Sequence, residues 1–135
     1  MNTNQVIRTA FKAVSNNEEN PNKNICAYEV AKVFGCENNT RYLHTSDDLL
    51  RAVRKWFKVR QCNTALKVKA GKTTKWELRD YLKTNVNEEH MAYIVRVKGH
   101  VFALCNNGKK LVDTDFIASL NRPIEKVWAV YFPED

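Results

Sequence analysis

The sequence predicts an α+β domain in which an N-terminal helical part packs on an antiparallel sheet made mainly from the C-terminal half. Three observations predict it. The stretch Tyr93–Thr114 holds three β-branched or apolar runs separated by Lys98-Gly99 and by Asn106-Asn107-Gly108, the signature of strands joined by tight turns. Upstream, apolar residues recur at helical spacing behind residues that cap helices. With 135 residues and 44% hydrophobic content, the chain is long enough for one domain with a real core.

From the N-terminus, Val6, Ile7, Ala10, Phe11 and Val14 form one helical stripe behind Thr3, a suitable N-cap. A polar loop, 16–24, follows. Ile25–Phe34 is a second helix, capped by Asn24 and ended by Gly35, with Ile25, Val30, Val33 and Phe34 inward. After a loop, Thr45 and Asp48 resemble a capping box with a shortened acid, opening a helix from about Ser46 to Lys58. Leu49, Leu50, Val53 and Phe57 form its buried face. Between Gln61 and Thr73 the pattern is ambiguous: Ala65–Val68 reads as a short strand and Ala70-Gly71 as a turn. Thr74 and Glu77 make a fuller capping box for a helix carrying Trp76, Leu78, Tyr81 and Leu82. The segment 85–89 connects it to the sheet. Beyond Asp113, a short helix or turn at Asp115–Leu120 and the break at Pro123 precede a last strand, Val127–Phe132, with Trp128 as a core anchor. On this division, 1–24 is an N-terminal helix and loop, 25–90 the helical part and 91–135 the sheet part.

Composition narrows the function. No apolar run approaches the ~20 residues of a membrane helix, and the N-terminus Met-Asn-Thr-Asn-Gln lacks a signal-peptide core, so a cytoplasmic protein without a membrane partner is expected. Cys26, Cys36, Cys62 and Cys105 show neither paired nor zinc spacing, which predicts free thiols and no metal. There are no internal repeats, no P-loop and no Gly-rich nucleotide fingerprint, and no cofactor is expected. His44 and His90, in polar surroundings, read as surface residues.

The formal net charge is +7, and it is unevenly spread. Arg51, Arg54, Lys55, Lys58, Arg60, Lys67, Lys69, Lys72 and Lys75 occupy 51–75 without an intervening Asp or Glu. Arg51, Arg54, Lys55 and Lys58 have the spacing of one helix face. Such a region, with Trp56, Phe57 and Trp76 in or beside it, is an electrostatic footprint for nucleic acid or an acidic protein, or a solvated face.

Two polar residues stand out in the strands. His100 opens the middle one and Asp113 closes the last. Opposed residues of paired strands share a face. A two-residue turn at Asn106-Asn107 sets His100 opposite Asp113. A turn at Asn107-Gly108 sets them diagonally on the same face, and a three-residue loop separates them. A carboxylate beside an imidazole fixes its tautomer and stabilises its cation, as a general base requires. Cys26, in the first turn of its helix, lies where free N–H groups and the helix dipole favour a thiolate.

The run C-A-Y-E-V-A-K-V-F-G (Cys26–Gly35) resembles the first motif of small papain-like domains of phage and bacterial proteins. T-K-W-E-L-R-D-Y-L, then A-Y-I-V-R-V-K-G-H-V-F-A-L and L-V-D-T, resemble their second and third motifs. The order Cys, His, Asp is also that of bacteriocin-processing peptidases. The resemblance spans roughly Asn24–Phe132 and implies a papain-like fold and a peptidase or isopeptidase acting on a peptide or protein, phage-encoded and working in the host cytosol. Cys26 would be the nucleophile, His100 the base and Asp113 the orienting acid. Such enzymes often carry Gln about six residues before the nucleophile to complete the oxyanion hole. Here Asn20 stands there, with Asn22 and Asn24 as rivals, and Ile25 replaces the usual polar residue before the cysteine. The alternative is a non-enzymatic binding protein on the same fold, which inhibits a host factor or binds nucleic acid through 51–75.

Overall fold

The computed structural model describes Phe34 and residues 45–105, 110–112 and 122–132, the strand 110–112 by its backbone alone. The predicted helices Thr3–Val14 and Ile25–Phe34 (apart from Phe34 itself), the Gly35 cap and the segment Asp115–Leu120 lie outside the described residues. In chain order the elements are α1 (Ser46–Arg54), β1 (Val59–Gln61), α2 (Lys75–Thr84), β2 (His90–Val97), β3 (His100–Cys105), β4 (Lys110–Val112) and β5 (Ile124–Tyr131). The class is α+β, with one antiparallel sheet in the order β1-β5-β2-β3-β4.

Both helices begin where the capping boxes place them. The Thr45 hydroxyl accepts from the Asp48 N–H while the Asp48 carboxylate accepts from the Thr45 N–H; Thr74 and Glu77 repeat the exchange. Each box satisfies two backbone donors that a helix start leaves without an intrahelical acceptor. α1 is shorter than expected, ending at Arg54 rather than near Lys58. Tertiary pairing accounts for the difference: Val59–Gln61 is drawn out as β1 along Val130–Trp128 of β5, so the chain must leave the helix before Lys58.

The strand expected at Ala65–Val68 is instead a turn. Leu66 N–H donates to the Cys62 carbonyl and Val68 N–H to the Asn63 carbonyl, with Lys67 at φ 56. The Asn63 side chain ends the β1–β5 ladder: its carbonyl accepts from Val127 N–H and its amide donates to the Glu125 carbonyl. A side-chain amide thus takes the bonds that a longer β1 would have made.

The two described helices do not form one N-terminal layer on the sheet. Leu49, Leu50, Ala52 and Val53 of α1 pack with Ala92, Ile94, Val101, Ala103, Cys105, Trp128 and Val130 on one face. Leu78 and Leu82 of α2, with Cys62, Leu66 and Val68, pack with Tyr93, Val95, Val97, Phe102, Leu104, Val127 and Ala129 on the other. The reason is in the strands. β3 is buried at every residue and β2 at all but His90 and Arg96, so both faces present apolar side chains and both require a cover.

β3 pairs with β4 through Ala103↔Val112, Leu104↔Leu111 and Cys105↔Lys110. This is the register of a turn centred on Asn107-Gly108, the second of the two that keep His100 and Asp113 on one face. The turn itself and Asp113 lie outside the described residues.

Candidate functional site

His100 is positioned by the β2–β3 hairpin. Val97 and His100 are paired and Lys98-Gly99 turns between them, with Gly99 at φ +70, a conformation an L side chain rarely adopts. The imidazole lies on the α2 face of the sheet, 9% exposed, with its ring centroid 6.2 Å from that of Phe102. The residue borders a pocket of about 230 Å³ at this end of the sheet, lined also by Thr45, Ser46, Arg96, Val97, Gly99 and Val101, of which Val101 and Arg96 face α1. The pocket therefore joins the hairpin to the N-terminus of α1.

Arg96 is the charged wall of this pocket, and the sequence reading passed over it. Its guanidinium lies over the Trp128 ring at 5.8 Å, Nη1 donates to Ser46 Oγ at 3.5 Å, and Nε stands 3.7 Å from the Glu125 carboxylate, buried and without a hydrogen bond. The available signal was a lone charge within the apolar run Y-I-V-R-V, since a charge inside a buried strand needs partners.

Cys26 and Asp113, and the oxyanion candidates Asn20, Asn22 and Asn24, lie outside the described residues, as do Cys36 and His44. The two described cysteines are free and buried. Burial pushes the Cys62 thiol up to about 12, and its Sγ donates to the Val127 carbonyl at 3.6 Å. Cys105, enclosed by the α1-side core, is raised further by the same cause. A thiol held protonated is a poor nucleophile, so both are packing residues. Among the described residues no group of three His, Cys, Asp or Glu is placed to hold a metal, and no helix is long and apolar enough to cross a membrane.

The basic region divides. Arg51, Arg54, Lys55, Lys58 and Arg60 are exposed, as are Lys67, Lys69 and Lys72. Lys75 is not: it is fully buried, with Nζ 5.2 Å from the Phe102 ring centroid. The first residue of α2 turns its stem into the core, which removes Lys75 from any surface footprint. Trp56, just past α1, is 67% exposed.

His90 also departs from expectation, because it is half-buried rather than on the surface. The β2–β5 register shifts between His90 and Ala92. Met91 and Ala92 consequently both face α1, and His90 joins Tyr93 on the α2 side. Its Nδ1 lies 2.8 Å from the Tyr93 hydroxyl and its ring packs edge-on to Tyr131 at 4.7 Å. Burial lowers the His90 pKa, against a smaller opposing effect of the Glu89 carboxylate. His90 and Tyr131 line a second pocket, of about 480 Å³, with Arg60, Gln61, Asn63, Thr64 and Asn87.

Comparison of the chain with protein families, with curated proteins and with solved structures finds no match.

Proposed function

We propose that the protein is a papain-like cysteine hydrolase, a peptidase or isopeptidase, with Cys26 as nucleophile, His100 as base and Asp113 as the acid that orients it. The Cys26 thiolate attacks the carbonyl carbon, His100 having taken the thiol proton. The C–N bond breaks as the imidazolium returns that proton to the departing amine. Water, deprotonated by His100, then hydrolyses the thioester and frees the thiol. The backbone N–H of Cys26 and one of Asn20, Asn22 and Asn24 are the proposed oxyanion donors.

One observation carries the reading: His100, the predicted base, is fixed by strand pairing at a hairpin that borders a pocket. The β3–β4 register supports it, being one of the two that the His–Asp pairing requires. Free thiols at Cys62 and Cys105 accord with action in a reducing cytosol, that of the host for a phage-encoded enzyme.

Alkylation with iodoacetamide between pH 5 and 9, mapped by mass spectrometry, tests it. Cys26 is expected to react below pH 7 at a rate that His100→Ala reduces at least tenfold. Cys62 and Cys105 serve as protected internal controls. If Cys26 titrates like a free thiol, near ~8.5, and ignores His100→Ala, it is not an activated nucleophile and the proposal fails. The runner-up, a binding protein on the same fold, is favoured by the exposed cations on and after α1.

A further inference from the structure

We infer that the surface running from the outer face of α1 through β1 to the His90–Tyr131 pocket binds single-stranded nucleic acid, with Trp56 and the pocket each taking a base. The inference does not rest on the hydrolase reading, which concerns the pocket around His100.

The cations come first. Arg54, Lys55, Lys58 and Arg60 are exposed and fall within seven residues of chain, a span of at most ~22 Å even if fully extended. Arg51 is partly committed, 4.0 Å from the Asp48 carboxylate, and Lys55 has a partner as well, but both side chains stay exposed. Lys58 Nζ sits 4.8 Å from the Tyr131 ring centroid, which ties the track to the pocket, and Arg60 lines the pocket itself. β1 is an edge strand, so no further strand among the described residues covers this route.

Aromatic surface is the second component. A tryptophan that is 67% exposed between cations contributes little to folding, but it offers a stacking platform that accepts any base. Duplex DNA keeps its bases stacked inside and cannot use such a platform, whereas single strands combine a cationic track with exposed aromatics.

The pocket supplies the third component. Its polar lining is only partly spent. The Asn63 amide is committed to the Val127 N–H and the Glu125 carbonyl, and Asn87 Oδ1 accepts from Glu89 N–H. The Gln61 carbonyl oxygen, the Asn87 amide nitrogen and His90 Nε2 remain for a ligand among the described residues. With His90 Nδ1 held at the Tyr93 hydroxyl, these are neutral donors and acceptors of the kind a base edge requires. Glu89 acts on His90 electrostatically and Glu88 precedes it; their charge disfavours a phosphate here and leaves a neutral base unaffected. A polyanion without bases, such as polyglutamate, would use the cations but has neither a ring to stack on Trp56 nor a base edge for this pocket.

Fluorescence anisotropy with labelled 12-nucleotide single strands, the matching duplex and polyglutamate, each at two salt concentrations, tests the inference on the full chain. Wild type is expected to bind the single strand at least tenfold more tightly than the duplex or polyglutamate. The Arg54→Ala, Lys55→Ala, Arg60→Ala triple variant should reduce the log–log salt slope by about 2, at roughly 0.7 per phosphate. Trp56→Ala should weaken binding about tenfold and Gln61→Ala severalfold, both without changing the slope. All five residues are exposed, so circular dichroism should report unchanged folding. No binding, equal binding of polyglutamate or duplex, or losses confined to the charge variant with Trp56→Ala and Gln61→Ala unaffected, would each overturn the assignment.

Discussion

Under α1 the sheet is closed by Leu49, Leu50, Ala52 and Val53 against Ala92, Ile94, Ala103, Cys105 and Trp128, and the cations of that helix stay outside. Under α2 the same sheet takes Lys75, Arg79 and His100 into its interior, none of which stands free, along with the His90–Tyr93 pair. Burying a charge costs several kcal/mol unless its partners offset it. The α1 side meets that cost once, at Arg96 Nε, which is buried without a hydrogen bond, while the α2 side meets it repeatedly. Stability alone would favour the first arrangement on both sides. The difference teaches where this fold buries its polar groups: mostly on the α2 face, with His100 at one end of the sheet and His90 at the other, while the α1 side contributes core packing, an exposed cationic surface and, through Arg96 and the start of α1, the pocket beside His100.

The largest effects should come from removing the central aromatic of each face. Trp128→Ala on the α1 face is expected to cost ~3–5 kcal/mol, read from urea unfolding. Phe102→Ala on the α2 face should cost ~3–5 kcal/mol as well, since each ring also carries a cation, Lys75 over Phe102 and Arg96 over Trp128. A Phe102→Ala loss near 1 kcal/mol would show that the α2 side relaxes around its polar groups, and the contrast between the faces would weaken.

Next come the devices that fix element boundaries. Gly99→Ala meets no atom within 4 Å of the added Cβ, so its cost is purely the φ of +70, about 1 kcal/mol. It should also perturb the His100 side-chain resonances, since the turn sets the imidazole's place. Thr45→Ala and Thr74→Ala should each cost ~1 kcal/mol by opening a capping box. Similar losses would show that the two helices depend alike on their caps, whatever faces they cover.

The smallest effect separates the faces by pH. Burial lowers the His90 pKa below its usual 6.5, so the unfolded chain takes up this proton before the folded one does. The stabilisation is present in full above pH ~6.5 and is lost as pH falls through the depressed folded value. The urea midpoint should therefore drop between pH 7 and 5, and His90→Gln should flatten that drop. A slope unchanged in His90→Gln would assign the titration to another group.

Much of the fold is legible in local chemistry. The boxes Thr45–Asp48 and Thr74–Glu77 start helices because side chain and backbone within four residues satisfy each other, and no distant partner is needed. β2, β3 and the greater part of β5 are legible because runs such as Y-I-V-R-V and V-F-A-L exceed what one solvent-exposed face would carry. Of the candidate site, the sequence singles out His100, the lone imidazole at the head of an apolar strand, and it narrows the β3–β4 turn to two acceptable registers.

The remaining features depend on distant partners. β1 exists because β5 lies beside it, and V-R-Q alone carries no strand signal; the Asn63 side chain, 64 residues from Val127 in sequence, ends that pairing. Lys75 belongs by composition to the basic run, yet α2's docking brings it over Phe102. The register shift at Met91 turns His90 inward to Tyr93 and Tyr131, which no polar flanking sequence can announce. The sequence by itself determined the starts of α1 and α2, the central strands and the catalytic candidate, since caps, periodicity and residue type act within a few residues. Only the tertiary structure decided which face each helix covers, where β1 lies and which cations are buried, because those follow from non-local contacts that local pattern does not encode.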